Sequence, residues 1–348
     1  VADESKRGMF QNRRLILTIG VILVSAVVAW IEMHAWFVFR YQDSLQTQID
    51  VSDTVMSGHP QWRAFQGRIL IPAAIAFLQD HIANPATVLK LIYLAYLAIL
   101  FAANLVLCFF MMRLRAKFHF IVSTLIFSSV FFASNNNIFT YPWDFGEFIL
   151  FSIMTSFFFK DRLNWVFYAA FIVCLFNRES SILFGFFIVA GCVVTYLWER
   201  KIEYRKLAIG LLMLVIAVVV TELLRRTLFA DDGADTEHKL IENHFVLVPN
   251  FHYFKEYYFR KNSSVLLTFM ISVLLMYYAL TLGIARRDKN AVAAALTGLF
   301  LMLSIFVVAH VEESRVYQSL AWVLPYFAAY IVYGSRDAPG ERRLVPAA

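Results

Sequence analysis

Apolar residues in this chain come in long runs, each closed by a charged or turn-rich segment. The first, Leu15 to Phe39, is about 25 residues, long enough to cross a hydrocarbon core of ~30 Å at 1.5 Å per residue. It has no small-residue cleavage site, so it reads as a retained span rather than a signal peptide. Nine more follow: Leu89 to Met112, Phe118 to Ser134, Phe145 to Phe159, Leu163 to Phe176, Ile182 to Trp198, Leu207 to Leu224, Val265 to Ala285, Ala291 to Ala309 and Leu320 to Tyr333. The pattern predicts an all-α, polytopic transmembrane protein of about ten spans, forming a single membrane domain over 1–348. Phe145 to Phe159 and Leu163 to Phe176 are short, about 22 Å as helices, and must borrow from their loops or sit where the bilayer thins.

Two polar stretches are too long to be simple turns. One is a first outer loop, 40–86, and the other a later outer loop, 227–264. Within the first, Ile69 to Leu78 is apolar but too short to cross. Gly67, Arg68 and Pro72 place a helix start there, so an interfacial or re-entrant helix is expected. A basic tail, 335–348, closes the chain.

Charge assigns sides to this alternation. Lys6, Arg7, Arg13 and Arg14 precede the first span. Arg113, Arg115 and Lys117, then Lys160 and Arg162, then Arg200, Lys201, Arg205 and Lys206, then Arg286, Arg287 and Lys289 fall at every second junction, and Arg336, Arg342 and Arg343 lie in the tail. Well over half of the 31 Lys and Arg thus fall on one side, which the positive-inside rule makes cytoplasmic, with both termini there. Most of the 25 Asp and Glu fall on the other side. A composition of 60% apolar and 16% charged residues excludes an ordinary soluble domain, where about 25% are charged. The net charge of +6 therefore reads as topology rather than nucleic-acid binding. Cys108, Cys174 and Cys192 lie inside apolar runs and read as core residues, not metal ligands or disulfide partners.

Five outward segments share the acid-rich face: 40–86, 135–145, 177–181, 227–264 and 310–318. They bring Asp43, Asp50, Asp53, Arg63, Arg68, Asp144, Glu147, Arg178, Glu179, Glu312, Glu313 and Arg315 toward one surface. Arginine suits phosphate because its rigid fork donates paired hydrogen bonds and keeps its charge when partly buried. A carboxylate beside it can act as general base or bind a divalent cation. Each residue also has a plainer reading. Arg178 and Glu179 make an ion pair capping a helix junction, Asp144 caps the next helix, Arg68 snorkels, and Asp43, Asp50, Asp53, Glu313 and Arg315 are solvated charges. His238, His244 and His252, six and eight residues apart in a polar loop, read as loop histidines. There is no phosphate-cradling glycine loop, no His-Glu-x-x-His and no Gly-x-Ser-x-Gly, which removes the sequence case for an ATPase, a zinc protease or a serine protease of that type. Charges avoid the middle of the spans and no inverted repeat is visible, which argues against a transporter.

The many spans, the long first outer loop and the stretches Gln66 to Pro72, Asn177 to Ser180 and Glu313 to Arg315 resemble the GT-C superfamily of integral-membrane glycosyltransferases. The resemblance implies a GT-C-like fold, a polyprenyl-phosphate-linked sugar as donor and a glycan or lipid-linked acceptor. It also implies a site facing the periplasm of a bacterial inner membrane. On it, a first-loop carboxylate, Asp43 or Asp53, takes the acceptor proton, and Arg178 and Arg315 with Arg68 hold the lipid phosphate. Glu179 in the catalytic set and Glu313 in the substrate-binding set orient those arginines, and Asp144 joins the substrate-binding set. The superfamily places adjacent or once-spaced acids in its first outer loop, whereas this loop has Asp43 alone and the wider pair Asp50 and Asp53; no metal ligand set is singled out. The alternative is a non-catalytic flippase, transporter or assembly subunit for lipid-linked glycans, whose outer charges serve as gates or partner contacts.

Overall fold

The computed structural model describes residues 2–40, 43–60, 67–134, 141–229, 263–308 and 323–334. Side chains are described over 15–37, 45–60, 67–129, 141–229, 270–303 and 323–334. These residues form twelve α-helices and one 3-10 turn, with no strand among them: α1 Ala2–Arg40, α2 Asp43–Met56, α3 Leu70–His81, α4 Pro85–Arg113, α5 Phe118–Ser134, α6 Pro142–Phe158, α7 Trp165–Leu175, the turn Glu179–Ser181, α8 Ile182–Glu199, α9 Tyr204–Thr227, α10 Ser263–Arg286, α11 Lys289–Val308 and α12 Leu324–Tyr333. Four helical stretches are long and apolar enough to cross a membrane: Leu15–Phe37, Pro85–Arg113, Glu179–Glu199 and Tyr204–Thr227. Shorter apolar helices accompany them, of which α7, at 11 residues, is too short to cross alone.

α6 is the hub. All of its first seven residues and most of the rest are buried, and it packs against α4 and α7, with α3 also in contact with it. α4 carries α1 on its other flank, and α5 lies beyond α1. α8 pairs with α9 and α11, and α10 joins α11 to α12, which returns to α4 and α5. Aromatic rings fill the centre: Phe151 and Phe167 both meet Phe184 edge-on, and Phe110 contacts Tyr326. By contrast α9 buries few residues and presents Leu212, Val215 and Val219 outward, as a lipid-facing helix must. The three cysteines are buried and unpaired, as their setting predicts.

Helix boundaries follow local chemistry. Asn84 accepts a hydrogen bond from the Ala86 amide and Pro85 opens α4. Asn164 does the same for the Phe167 amide at the start of α7. The four tight turns after α4, α6, α8 and α10 each contain a residue in the left-handed region, Arg115, Asp161, Arg200 and Arg287. An ion-pair chain ties three of these turns together: Lys206 holds both oxygens of Asp161 at 3.0 Å, and Glu203 bridges Lys206 (3.6 Å) and Lys289 (3.1 Å). The basic turns that the charge pattern assigns to one side therefore do share one end of the bundle.

Two features depart from the sequence reading. The polar half of the first outer loop contains α2, whose Leu45, Gln48, Ile49, Ser52 and Val55 are buried. That spacing places them on one face of a helix. One carboxyl also lies within a span: Glu32 is buried between α1 and α4, where it accepts a 2.9 Å hydrogen bond from the Asn104 amide.

Candidate functional site

The N-terminal end of α6 collects the charges. Its first turn is Tyr141, Pro142, Trp143 and Asp144, with Pro142 setting the helical φ at N1 and one Asp144 oxygen taking the Tyr141 amide at 2.9 Å. One turn on, Glu147 occupies the same face, because residues three apart on a helix are neighbours. Both side chains are buried, and both meet Arg178 Nη1, Glu147 at 2.6 Å and Asp144 at 3.4 Å. The second Glu147 oxygen accepts the Ser180 hydroxyl at 2.5 Å.

Arg178 gets there because α7 stops early. The chain leaves α7 at Phe176, turns extended at Arg178 and re-enters a helical course through Glu179–Ser181. Asn177 locks this junction onto α6: it is fully buried and its amide donates to the Trp143 carbonyl at 2.8 Å. The fit requires a glycine opposite, since a Cβ on Gly146 would stand 2.3 Å from Asn177 Oδ1. The start of α3 is tied to the same junction by Leu70 N–H donating to the Phe176 carbonyl at 2.8 Å.

That tie delivers Arg68. Gly67 takes φ +90°, a conformation open to glycine, and turns the chain so that the Arg68 side chain enters the cluster. Its guanidinium grips both oxygens of Glu179, Nη2 at 2.5 Å and Nε at 3.2 Å, and lies 5.2 Å from the centroid of the Trp143 ring. Such a fork on a carboxylate, over an aromatic face, is the strongest pairing arginine makes. The adjacent Arg178 and Glu179, read from sequence as one ion pair, diverge: Arg178 reaches into α6 and Glu179 reaches across to the first outer loop.

The two pairs differ in access. The Arg178 and Glu147 side chains are 11% and 0% exposed, so that pair is shut inside. Arg68 is 9% exposed but Glu179 is 40% exposed, so Glu179 forms the open lip of the site. Asn177 Oδ1 and Ser181 Oγ, both buried, have no hydrogen-bond partner among the described residues. No group of three or more His, Cys, Asp or Glu positioned to hold a metal occurs among the described residues.

Arg68, Asp144, Arg178 and Glu179 of the sequence candidates are thus brought together. Asp53 is not: it is exposed on α2, where Gln79 of α3 approaches it at 3.5 Å, and Asp50 pairs with Gln46 on the same helix. Asp43 opens α2, with its side chain outside the described residues. Arg63, His238, His244, His252, Glu312, Glu313 and Arg315 also lie outside them. Glu147 belongs to the cluster without having been assigned a role; its legible signal was the three-residue spacing from Asp144. No protein family, no curated protein and no solved structure matches this chain.

Proposed function

We propose that this protein is a GT-C-like membrane glycosyltransferase that moves a sugar from a polyprenyl-phosphate donor to a glycan or lipid-linked acceptor at the outer face of a bacterial inner membrane. In this reading the chain has about ten spans and both termini are cytoplasmic. The observation that carries it is the unequal pair of ion pairs at one end of an apolar bundle: Arg178 sealed by Glu147 and Asp144, and Arg68 held by the exposed Glu179.

The chemistry follows from that inequality. A lipid phosphate arriving at the lip offers Arg68 the same two-oxygen geometry as Glu179, and displaces it. The Glu179 carboxylate, released and already exposed, accepts the proton of the acceptor hydroxyl. The acceptor oxygen forms its bond to the anomeric carbon as the bond from that carbon to the phosphate oxygen breaks, and Arg68 takes up the charge on the departing phosphate. Donor binding thereby uncovers the base. Arg178 stays with Glu147 and Asp144 and keeps the junction that presents Glu179 in place.

The test is sugar transfer in nanodiscs from a panel of polyprenyl-phosphate sugars, counting polyprenyl phosphate released per glycosidic bond formed. Glu179→Gln should lower turnover by about 10²–10⁴-fold, the range of a general base, with donor binding kept. Arg68→Ala should weaken donor binding as well. Intact lipid-linked sugar crossing the bilayer without release of polyprenyl phosphate would replace this reading with a flippase. Loss with Asp53→Asn in place of Glu179→Gln would move the base to α2.

A further inference from the structure

The two ends of α6 match their charges differently. At the outer end each described arginine of the cluster meets carboxylates. At the other end, the turn from Phe159 to Asn164 sends its acid away: Asp161, in the left-handed region at φ 50°, gives both oxygens to Lys206 of α9. Lys160 and Arg162 flank Asp161 in this turn, and Lys160 reaches the Phe110 ring of α4, one helical turn before Arg113, the last residue of that helix. None of these three cations has a side-chain hydrogen bond or ion pair among the described residues. Among the described residues the half-buried Lys160 ammonium meets the Phe110 ring, 5.1 Å from its Nζ. Burial, with the Arg113 and Arg162 charges beside it, pushes Lys160 down to about 8.

Three cations held together without a counter-charge call for an anion rich in acceptors. Two guanidinium forks and a point-charge ammonium suit a phosphate. The surroundings say which kind. Phe118 and Trp165, 42% and 78% exposed, begin the two helices that leave these turns, and exposed aromatic residues at helix ends belong at the headgroup level of a bilayer. Two other lysines of this end, Lys206 and Lys289, are held by Asp161 and Glu203, and Lys117 and Lys201 are exposed at their turns, whereas Lys160 is half-buried. We propose that Arg113, Lys160 and Arg162 form a binding site for the phosphate headgroup of an anionic phospholipid, seated between the inner ends of α4 and α6. Basic pockets between spans on the cytoplasmic side bind such headgroups. The site is independent of the glycosyl-transfer reading.

Native mass spectrometry of the full chain in neutral detergent, titrated with short-chain phosphatidylglycerol or phosphatidylcholine, reads it directly. The wild type should bind one phosphatidylglycerol in preference to phosphatidylcholine. Lys160→Gln should weaken that binding about fivefold, and the triple change with Arg113→Gln and Arg162→Gln by about 100-fold, at roughly 1 kcal/mol per cation. Lys160→Arg should retain it. Lys201→Gln with Arg205→Gln, which removes charge from the same end but not from this turn, should leave it intact. An equal loss in that control pair would reduce the cluster to a general basic rim and overturn the site. So would a wild type indifferent to the lipid headgroup, a readout that needs no variant to fold. Displacement of phosphatidylglycerol by millimolar inorganic phosphate, with no loss on removing the acyl chains, would make the ligand a free phosphate and overturn the lipid assignment.

Discussion

Arg178 shows how a buried charge becomes a structural commitment. Its guanidinium would be costly in an apolar bundle without Glu147 and Asp144, and those carboxylates would be costly without it. Removing one partner is therefore worse than removing a surface pair. Glu147→Gln keeps the shape and a polar atom but strips the charge from the 2.6 Å contact and from the Ser180 hydrogen bond. The expected loss is about 3 kcal/mol or more, the range for breaking a buried ion pair, read as a lower melting temperature in detergent. Glu222→Gln, which breaks the exposed pair with Arg226 on α9, should cost less than about 1 kcal/mol. Equal shifts for the two variants would mean that Arg178 is solvated and that the enclosed pair has no structural role. The sequence announced Arg178, because an arginine between apolar runs is conspicuous. It did not announce its partners, because they lie 31 and 34 residues away and only the packing of α6 against α7 brings them near.

At the scale of elements, what was legible was whatever a local rule controls. The long apolar runs became helices, the Gly67 to Pro72 stretch did open a helix at Leu70, and asparagine and proline mark the starts of α4 and α7 or α6 as their chemistry requires. α2 was not legible from hydropathy, since its buried face includes Gln48 and Ser52; Gln48 accepts the Tyr96 hydroxyl at 3.3 Å, which lets a polar residue enter the core. The junction between α7 and α8 depends on a contact no local rule contains, the seating of Asn177 against Gly146. Gly146→Ala makes this testable. Alanine favours a helix by about 1 kcal/mol over glycine in isolation, yet here its Cβ would collide with Asn177. We expect the steric effect to win, with a loss of about 1–3 kcal/mol as for an overpacked core. Gly191→Ala in α8, where the nearest atom to a new Cβ is 3.8 Å away, should be neutral or stabilising. A stabilised Gly146→Ala protein would show that α6 and the junction can separate, and Arg178 would lose its fixed position.

For the whole molecule, the arrangement of ends matters more than the number of spans. Three basic turns are joined by the chain from Asp161 to Lys289, while Arg68, Asp144 and Arg178 gather at the opposite end of α6. Charge along the sequence separates the same two groups, although it has no knowledge of the ion pairs. Two independent observations thus agree on which segments share a side, and the proposed topology takes the basic side as cytoplasmic. The three native cysteines are buried, so single cysteines introduced at exposed positions can be labelled over a low background. Asp53→Cys on α2 and Glu199→Cys at the end of α8 are suitable, both being exposed and outside the clusters argued above. In intact cells whose outer envelope admits a membrane-impermeant maleimide, Asp53→Cys should label at once and Glu199→Cys only after the inner membrane is opened. The reverse order would turn the protein over, placing Glu179 on the side where the donor lipid is made and the Lys160 cluster at the outer leaflet. Labelling of both positions in intact cells would break the link between the ends of α6 and the two faces of the membrane, and with it the transferase reading.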